Sequence, residues 1–182
     1  MAEMGIFVKA IVNNSALSSL FHRWFGASKL AEIVRPFKAK RVLELGCGVG
    51  ITTCVIASKF NEAKIMALDS DAAQIEAAKK RQSLANVEFV VVDATILSFK
   101  DGSFDVVFEL LAFHHIPSYE RAISEVYRVL KPGGSFFLLD IQLKSLPFYK
   151  LVWFEPVKFT KREFTDNLAK AGFLVKQSKG SL

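Results

Sequence analysis

The stretch Arg41-Val-Leu-Glu-Leu-Gly-Cys-Gly-Val-Gly50 decides the fold. Its first half, Arg41–Leu45, is a short apolar run that predicts a buried strand. Its second half is a loop with a glycine at every second position, and residues 51–60 then follow a helical pattern. A strand, a glycine loop and a helix in this order are typical of a turn whose backbone closely approaches a bound ligand.

The same alternation of strand and helix continues along the chain. Five further strands are predicted, at Lys64–Asp69, Val87–Val92, Phe104–Leu110, Ser135–Asp140 and Phe173–Ser178. Three further helices are predicted, at residues 72–84, 118–130 and 160–172. Short apolar strands that alternate with helices predict an α/β fold, a doubly wound, Rossmann-like, mostly parallel sheet of six strands with helices on both faces.

Two of the predicted helices have recognisable ends. Lys131-Pro-Gly-Gly134 predicts a turn that stops the helix at 118–130 before the fifth strand begins. Thr160-Lys-Arg-Glu163 is a capping box that opens the final helix, and Gly172 is expected to close it.

Polar features follow four of the strands at the edge where a parallel sheet binds ligands. They are the glycine loop, Asp69, Asp93 and the segment Glu109–His115. A dinucleotide is disfavoured because the third small residue of its fingerprint would fall at Ile51, which is bulky. A carboxylate at Asp69 can accept both hydroxyls of a ribose, and one at Asp93 can accept an adenine amino group.

Several segments together resemble a class I S-adenosylmethionine-dependent methyltransferase. They are VLELGCGVG (42–50), ALDSD (67–71), VVDAT (91–95), FDVVFELLAFHH (104–115) and LKPGGSFFLLD (130–140). The chain looks most similar to the small-molecule branch, akin to the methyltransferases of ubiquinone and menaquinone biosynthesis. This resemblance implies S-adenosylmethionine as methyl donor and a small, apolar or aromatic acceptor. The family's sheet has seven strands, whereas only six are predicted in this sequence, so we expect the seventh to be missing here.

The resemblance also implies a set of cofactor contacts. Residues beside the methionine part would be Glu44, Gly46, Cys47, Gly48, Glu109 and Leu110, with Gly50 completing the loop. Residues beside the adenosine part would be Asp69, Ser70, Asp93 and Ala94.

Methyl transfer from a sulfonium needs a nucleophile held in line and shielded from water, and a base only where the nucleophile must lose a proton. The candidates for such a base are His114 and His115. A cysteine nucleophile is not expected, because Cys47 lies in the glycine loop and Cys54 in the following helix. The stretch after strand four lacks the Asn/Asp-Pro-Pro-Tyr motif that is usual in enzymes that methylate exocyclic amino groups of nucleobases, so this activity is not expected. The sequence also has no cluster of carboxylates at the spacing of metal ligands, so a catalytic metal is not expected.

The length of 182 residues fits a single domain. We predict three parts: an N-terminal helical cover at 1–37, a cofactor-binding core at 38–140 and a substrate-side segment at 141–182. The cover would contain helices near 16–25 and 28–35. No apolar run is long enough to span a membrane, no secretory signal is apparent and only two cysteines occur. We therefore expect a cytoplasmic protein.

The net charge of +6 comes from the two ends of the chain. Residues 1–41 and 141–182 each carry a net charge of +5, whereas residues 42–140 carry −4. The same ends hold aromatic residues that the predicted strands do not explain, namely Phe7, Phe21, Trp24, Phe25, Phe37, Phe148, Trp153, Phe154 and Phe159. A basic, aromatic cover suits an apolar acceptor with negative charge, or a loose contact with a membrane surface, better than general nucleic-acid binding.

Three other functions remain open at this point. The basic charge allows an RNA methyltransferase or another nucleic-acid binder. The fold also allows a module that binds S-adenosylmethionine without catalysis. A nicotinamide oxidoreductase is the weakest alternative, because Ile51 breaks the dinucleotide fingerprint.

Overall fold

The computed structural model describes residues 38–81, 83–140 and 159–176. Its strands are β1 (Arg41–Leu45), β2 (Lys64–Asp69), β3 (Val87–Val91), β4 (Phe104–Leu110) and β5 (Leu130–Leu139). Its α-helices are α1 (Ile51–Lys59), α2 (Ala72–Arg81), α3 (Tyr119–Val129) and α4 (Lys161–Ala171), and Phe113–His115 form a 3-10 turn. The predicted N-terminal cover at 1–37 and most of the substrate-side segment, residues 141–158 and 177–182, lie outside the described residues.

The strands form one parallel sheet in the order β3-β2-β1-β4-β5. Helix α1 packs on one face through Ile56, which shares a core cluster with Val42 and Val106. Helix α3 packs on the other face through Ile123 and Val126. The predicted α/β architecture, with helices on both faces of a parallel sheet, is therefore confirmed. The strand order reverses between β1 and β4, and a ligand-binding crevice opens at such a point, beyond the carboxyl ends of the strands.

The start of the fifth strand differs from the prediction. Strand β5 begins at Leu130, which pairs with Phe104, whereas Ser135 pairs with Val106. Five residues of β5 therefore span two residues of β4, and Lys131-Pro-Gly-Gly134 form an irregular start of the strand instead of a free turn. Such an irregularity accommodates a proline, which has no N–H to donate to the ladder.

The predicted sixth strand is not confirmed. Residues 173–176 form no strand, and residues 177–178 lie outside the described part of the chain. The ring of Phe173 instead packs against Tyr127 and Phe136, with centroids 5.2 and 5.6 Å apart. Leu174 is 85% exposed. The described residues after α4 are therefore held by the packing of Phe173 and do not pair with the sheet.

The helix ends follow local hydrogen bonds. Helix α4 begins with the predicted capping box, in which the Thr160 hydroxyl accepts from the Glu163 amide and the Glu163 carboxylate accepts from the Thr160 amide. It ends at Gly172, whose φ of 106° only glycine adopts readily. Helix α2 stops at Arg81, before the predicted residue 84, because Leu84 joins the turn into β3 by accepting from the Val87 amide.

Arg128 on α3 holds the loop that connects β3 to β4. Its guanidinium donates to the carbonyl oxygens of Leu97 and Phe99 and to the carboxylate of Asp101, each at 2.7 Å. Glu125 accepts from Arg128 at 2.8 Å and from the Leu97 amide at 2.7 Å. One side chain thus fixes a loop whose own backbone lies outside regular secondary structure.

Replacing Arg128 with Met should lower the free energy of unfolding by about 2 kcal/mol, because several acceptors lose a charged donor. Arg121→Met on the same helix is the matched control, since Arg121 is exposed. We expect it to change the free energy by less than about 0.5 kcal/mol. Urea unfolding followed by circular dichroism measures both values, and equal losses would contradict the role of Arg128.

No helix in the described ranges is long and apolar enough to cross a lipid bilayer.

Candidate functional site

The glycine loop after β1 is tied to the end of β2. The amide of Cys47 donates to the carbonyl oxygen of Leu68, and the amide of Gly48 donates to Asp69 Oδ2, both at 2.9 Å. Asp69 Oδ1 accepts from the Asp71 amide at 3.0 Å. Asp69, which is predicted to bind the ribose, therefore also holds the glycine loop in position. The structure thus brings together two of the four predicted features, the glycine loop and Asp69.

The same loop packs against the segment that follows β4. Gly46 has a φ of 64°, and a Cβ atom added to it would lie 2.3 Å from the Cβ atom of Ala112. A Cβ atom on Gly48, whose φ is 53°, would meet nothing nearer than Gln74 Oε1 at 3.8 Å. Gly46 is thus required for contact between two loops, whereas the outer side of Gly48 is open.

Glu44 on β1 is a buried carboxyl that is only partly paired. Its Oε1 accepts from the Thr52 hydroxyl of α1 at 2.5 Å, and no group in the described chain hydrogen-bonds its buried Oε2. Burial raises the pKa of Glu44 to about 7, against the lowering effect of the Thr52 and Thr53 hydroxyls. The buried Thr53 hydroxyl lies near the carboxyl but makes no hydrogen bond with the described residues.

Glu109 on β4 has the same character. Its Oε1 accepts from the amides of Ala112 and Phe113, at 2.5 and 3.1 Å, and its buried Oε2 has no partner in the described chain. Burial, followed by the charge of Asp140, raises its pKa well above the ordinary value. Glu44 and Glu109 therefore place one unsatisfied buried oxygen on each of the two strands that flank the crevice.

The segment between Glu109 and the 3-10 turn contains a strained residue. Leu111 has a φ of 62°, although it is not a glycine, and its amide donates to the carbonyl oxygen of Leu139 at 2.8 Å. A leucine in this conformation costs about 1–2 kcal/mol, and such strain concentrates at functional sites. The strain and the two amides bound by Glu109 fix the path of the chain at the end of β4.

The two candidate bases lie in different surroundings. His114 is buried, and its Nδ1 lies 2.6 Å from Asp140 Oδ1, while its amide donates to Asp140 Oδ2 at 3.0 Å. His115 is exposed, and its ring lies 3.9 Å from the ring of His114. The structure therefore favours His114 over His115 as a group with a fixed orientation.

The residues after β2 and β3 are the most open part of the site. Asp93 is exposed, and its Oδ1 accepts from both the amide and the hydroxyl of Thr95 at 2.8 Å. The Val92 amide donates to the carbonyl oxygen of Asp69, which brings the ends of the two strands together. Ser70 is also exposed, whereas Ala94 is buried in the core.

Residues 43–138, more than half of the chain, match the family described as a methyltransferase domain. The chain belongs to this methyltransferase family. The resemblance to class I S-adenosylmethionine-dependent methyltransferases is thereby confirmed, and the narrower likeness to the ubiquinone and menaquinone branch stays a prediction.

Two curated relatives come from mycobacteria. The "phthiotriol/phenolphthiotriol dimycocerosates methyltransferase" of Mycobacterium tuberculosis is 37% identical over 71% of this chain and 45% of its own length. The "fatty-acid O-methyltransferase" of Mycolicibacterium smegmatis is 39% identical over 57% of this chain and 38% of its own length. The chain thus spans less than half the length of either relative.

A solved structure supports the fold. The S-adenosylmethionine-dependent methyltransferase from Mesorhizobium loti has a TM-score of 0.70, and the match covers 82% of this chain and 81% of that one. The sequence identity is 19%, so this likeness concerns the fold alone.

Two predicted contact residues of the methyltransferase domain are enclosed by packing. Leu110 is buried in the core beneath α1, and Gly50 lies against the ring of Phe89. Phe159, predicted as part of the aromatic cover, instead packs in the core against Tyr119 and Phe164. Any ligand contact of Leu110 or Gly50 would therefore involve the backbone. The other aromatic residues of that cover lie outside the described residues.

Sequence reasoning missed Asp140, which follows β5 and pairs with His114. The available signal was its position at the end of the fifth predicted strand, beside the strand that carries Glu109. The thiol of Cys47 is buried, and burial raises its pKa, which makes this cysteine a poor nucleophile. No group of three or more potential metal ligands occurs in the part of the chain that the structure describes.

Glu44 predicts a specific pH dependence of folding stability. Since burial raises its pKa to about 7, the folded state holds this proton over a range where the unfolded chain has released it. Stability should therefore fall as the pH rises from about 4.5 to about 7, by roughly 3 kcal/mol in total.

Glu44→Gln, which imitates the neutral acid, should remove the part of the pH dependence that comes from Glu44, leave the part that comes from Glu109, and exceed the wild type in stability at pH 8. Urea unfolding at pH 5 and pH 8 measures the difference. The matched control is Glu88→Gln on the exposed side of β3, which should retain the pH dependence. A Glu44→Gln protein with an unchanged pH profile would contradict the assignment.

Proposed function

We propose that this methyltransferase domain binds S-adenosylmethionine at the carboxyl edge of its sheet and transfers the methyl group to a small, apolar acceptor. One observation carries the proposal. Two fully buried carboxyls, on the strands that flank the crevice, each have an oxygen without a hydrogen-bond partner among the described residues. Buried polar atoms are normally paired, so these two oxygens point to a ligand that supplies donors or positive charge.

S-adenosylmethionine fits these residues. It carries an ammonium and a sulfonium, and a nearby positive charge favours the ionised form of a carboxyl whose pKa burial has raised. Glu44 and Glu109 are such carboxyls, because burial raises the pKa of both. The open side of Gly48 allows the ligand to approach the backbone.

The adenosine part would lie towards β2 and β3. Asp69 is half-buried at the end of β2, already oriented by the amides of Gly48 and Asp71, and its carboxylate would accept the ribose hydroxyls. Asp93 and the amide of Ala94 would contact the adenine edge, with Ser70 beside the ring. These assignments follow the order of the motifs along the crevice.

When bound, S-adenosylmethionine supplies a methyl group on a positively charged sulfur. The chain's own contribution is orientation and exclusion of water. Leu111, Ala112 and Phe113 are all buried directly after β4, and Glu109 fixes two of their amides. This rigid apolar segment would hold the acceptor side of the crevice in one conformation.

The proposed acceptor is a small molecule with an apolar body. The curated relatives support this, because their names refer to a fatty acid and to phthiotriol dimycocerosates. The acidic balance of residues 42–140 also disfavours a polyanion at this edge. The basic segments on which a nucleic-acid function or a membrane contact would depend lie largely outside the described residues.

A turnover assay tests the proposal. The protein is incubated with methyl-labelled S-adenosylmethionine and either a long-chain alkylphenol, a long-chain alcohol, palmitate or a structured RNA. We expect S-adenosylhomocysteine and a labelled product with at least one apolar acceptor and none with RNA. Turnover with RNA alone would overturn the proposal, as would tight binding of the methyl donor without turnover on any acceptor.

A further inference from the structure

His114 is held by a single carboxylate through both its main chain and its side chain. Asp140 Oδ2 accepts the His114 amide at 3.0 Å, and Asp140 Oδ1 lies 2.6 Å from Nδ1. The two side chains are 5% and 3% exposed. A buried pair with two contacts fixes the position and the rotation of the imidazole ring.

The pairing also selects one tautomer of the ring. Asp140 already accepts the His114 amide on Oδ2, which is the role of a carboxylate oxygen. An ionised carboxylate only accepts hydrogen bonds, and the neutral imidazole must therefore carry its proton on Nδ1. The lone pair of the ring is then on Nε2, which hydrogen-bonds none of the described residues.

The ring lies next to the part of the site that would hold the methyl donor. His114 belongs to the 3-10 turn that follows β4, and Glu109 fixes the start of that turn by accepting the amides of Ala112 and Phe113. Among the described residues, the titratable groups that contact the ring are Asp140, which follows β5, and His115 from the same turn, and the charge of Asp140 in turn acts on Glu109.

From this geometry we infer that Asp140 is a positioning residue, that His114 Nε2 is a general base, and that the acceptor is an alcohol or a phenol. This inference rests on the proposed function. The acceptor oxygen would bond to the methyl carbon while the carbon–sulfur bond breaks and its electron pair stays on sulfur. The hydroxyl proton would pass to Nε2 and then to water.

The presence of a base distinguishes between two kinds of oxygen acceptor. A fatty acid is already ionised at neutral pH and needs no base before its oxygen attacks. An alcohol or a phenol keeps its proton at neutral pH, and removal of that proton by a positioned side chain accelerates transfer about 10²–10⁴-fold. A buried, oriented imidazole therefore favours the hydroxyl acceptor.

The tautomer is measured without any substrate. Long-range proton–nitrogen correlation spectra of ¹⁵N-labelled protein, taken where the ring is neutral, distinguish the two nitrogens, and a His114→Gln spectrum assigns the signal. We expect the proton on Nδ1 in the wild type and a shift towards Nε2 in Asp140→Asn. Asp166→Asn, on the exposed side of α4, is the control and should leave the signal unchanged. A wild-type ring protonated on Nε2 overturns the inference.

Kinetics test the acceptor class. With a long-chain alkylphenol, we expect kcat to fall at least 100-fold in His114→Gln and at least tenfold in Asp140→Asn, with partial recovery in Asp140→Glu. The KM for the phenol and the affinity for S-adenosylhomocysteine should change less than threefold. Methylation of palmitate but not of the phenol overturns the inference, as does a normal kcat in Asp140→Asn.

Failure of this inference can be distinguished from failure of the proposed function. If S-adenosylhomocysteine does not bind to the wild type, the proposed function fails. If it binds normally and the tautomer or the acceptor preference is opposite to that expected, only the role of His114 and Asp140 fails. If neither acceptor is methylated, the tautomer measurement decides.

Discussion

Asp69→Ala is expected to weaken the binding of S-adenosylmethionine by at least about 100-fold. The carboxylate at the end of β2 would accept both hydroxyls of the ribose, and hydrogen bonds to a charged group contribute about 1.5–3 kcal/mol each. The same carboxylate accepts the Gly48 amide at 2.9 Å, so its removal also loosens the glycine loop. Both effects act against the ligand, and a loss of about 3 kcal/mol corresponds to about two orders of magnitude in affinity.

The matched control for this variant is two residues away. Asp71 is exposed, and its side chain accepts the Ala73 amide at 2.8 Å at the start of α2. Asp71→Ala should cost about 1 kcal/mol of stability as a lost helix cap and leave the affinity within about threefold. Calorimetric titration gives both affinities. Equal affinities for Asp69→Ala and the wild type would show that the ribose lies elsewhere.

Gly46→Ala is expected to lower the free energy of unfolding by about 4 kcal/mol. The added Cβ atom would lie 2.3 Å from the Cβ atom of Ala112, where two loops meet, and overpacking of this kind costs about 1–3 kcal/mol. The φ of 64° adds about 1–2 kcal/mol for any residue with a Cβ atom. The loop after β1 and the segment after β4 would have to separate.

Gly48→Ala isolates the contribution of the contact. Gly48 also has a positive φ, at 53°, but its added Cβ atom would have open space around it. Its cost should therefore be only the conformational part, about 1–2 kcal/mol. Urea unfolding of the two variants measures the difference. A Gly46→Ala protein no less stable than Gly48→Ala would contradict the close contact between the loops.

The strands were predictable where a largely apolar run leads into the residues of the site. The bounds of β1, β2 and β4 agree with the sequence-based prediction, because each run is buried and each is followed by a residue of the site. The predicted start of β5 was wrong, because Pro132 and the two glycines that follow it have the composition of a turn. Their place in the strand depends on the pairing of Leu130 with Phe104, which is not encoded locally.

The candidate site was also predictable from the sequence only in part. The order of Glu44, Asp69, Asp93 and Glu109 along the motifs was visible in the sequence, because parallel strands bring their carboxyl ends to one edge. The pairing of His114 with Asp140 was not visible, because 26 residues separate the two partners. The contact between Gly46 and Ala112 depends in the same way on the neighbouring positions of β1 and β4.

The burial of Glu44 and Glu109 could not be predicted either. A glutamate at the end of a short strand is usually solvated, and the sequence contains no sign that both side chains would be fully enclosed. Their enclosure arises from α1 on one face and from the 3-10 turn after β4 on the other. Only the folded chain reveals two unsatisfied oxygens beside the crevice.

The most direct measurement is a calorimetric titration of the wild-type protein with S-adenosylmethionine, S-adenosylhomocysteine and NAD. We expect the first two to bind at one site per chain, because a positively charged ligand would satisfy the buried carboxyls of Glu44 and Glu109. We expect no binding of NAD, because Ile51 occupies the position where the dinucleotide fingerprint has a small residue. Binding of NAD in the absence of binding by either S-adenosyl compound would contradict the account.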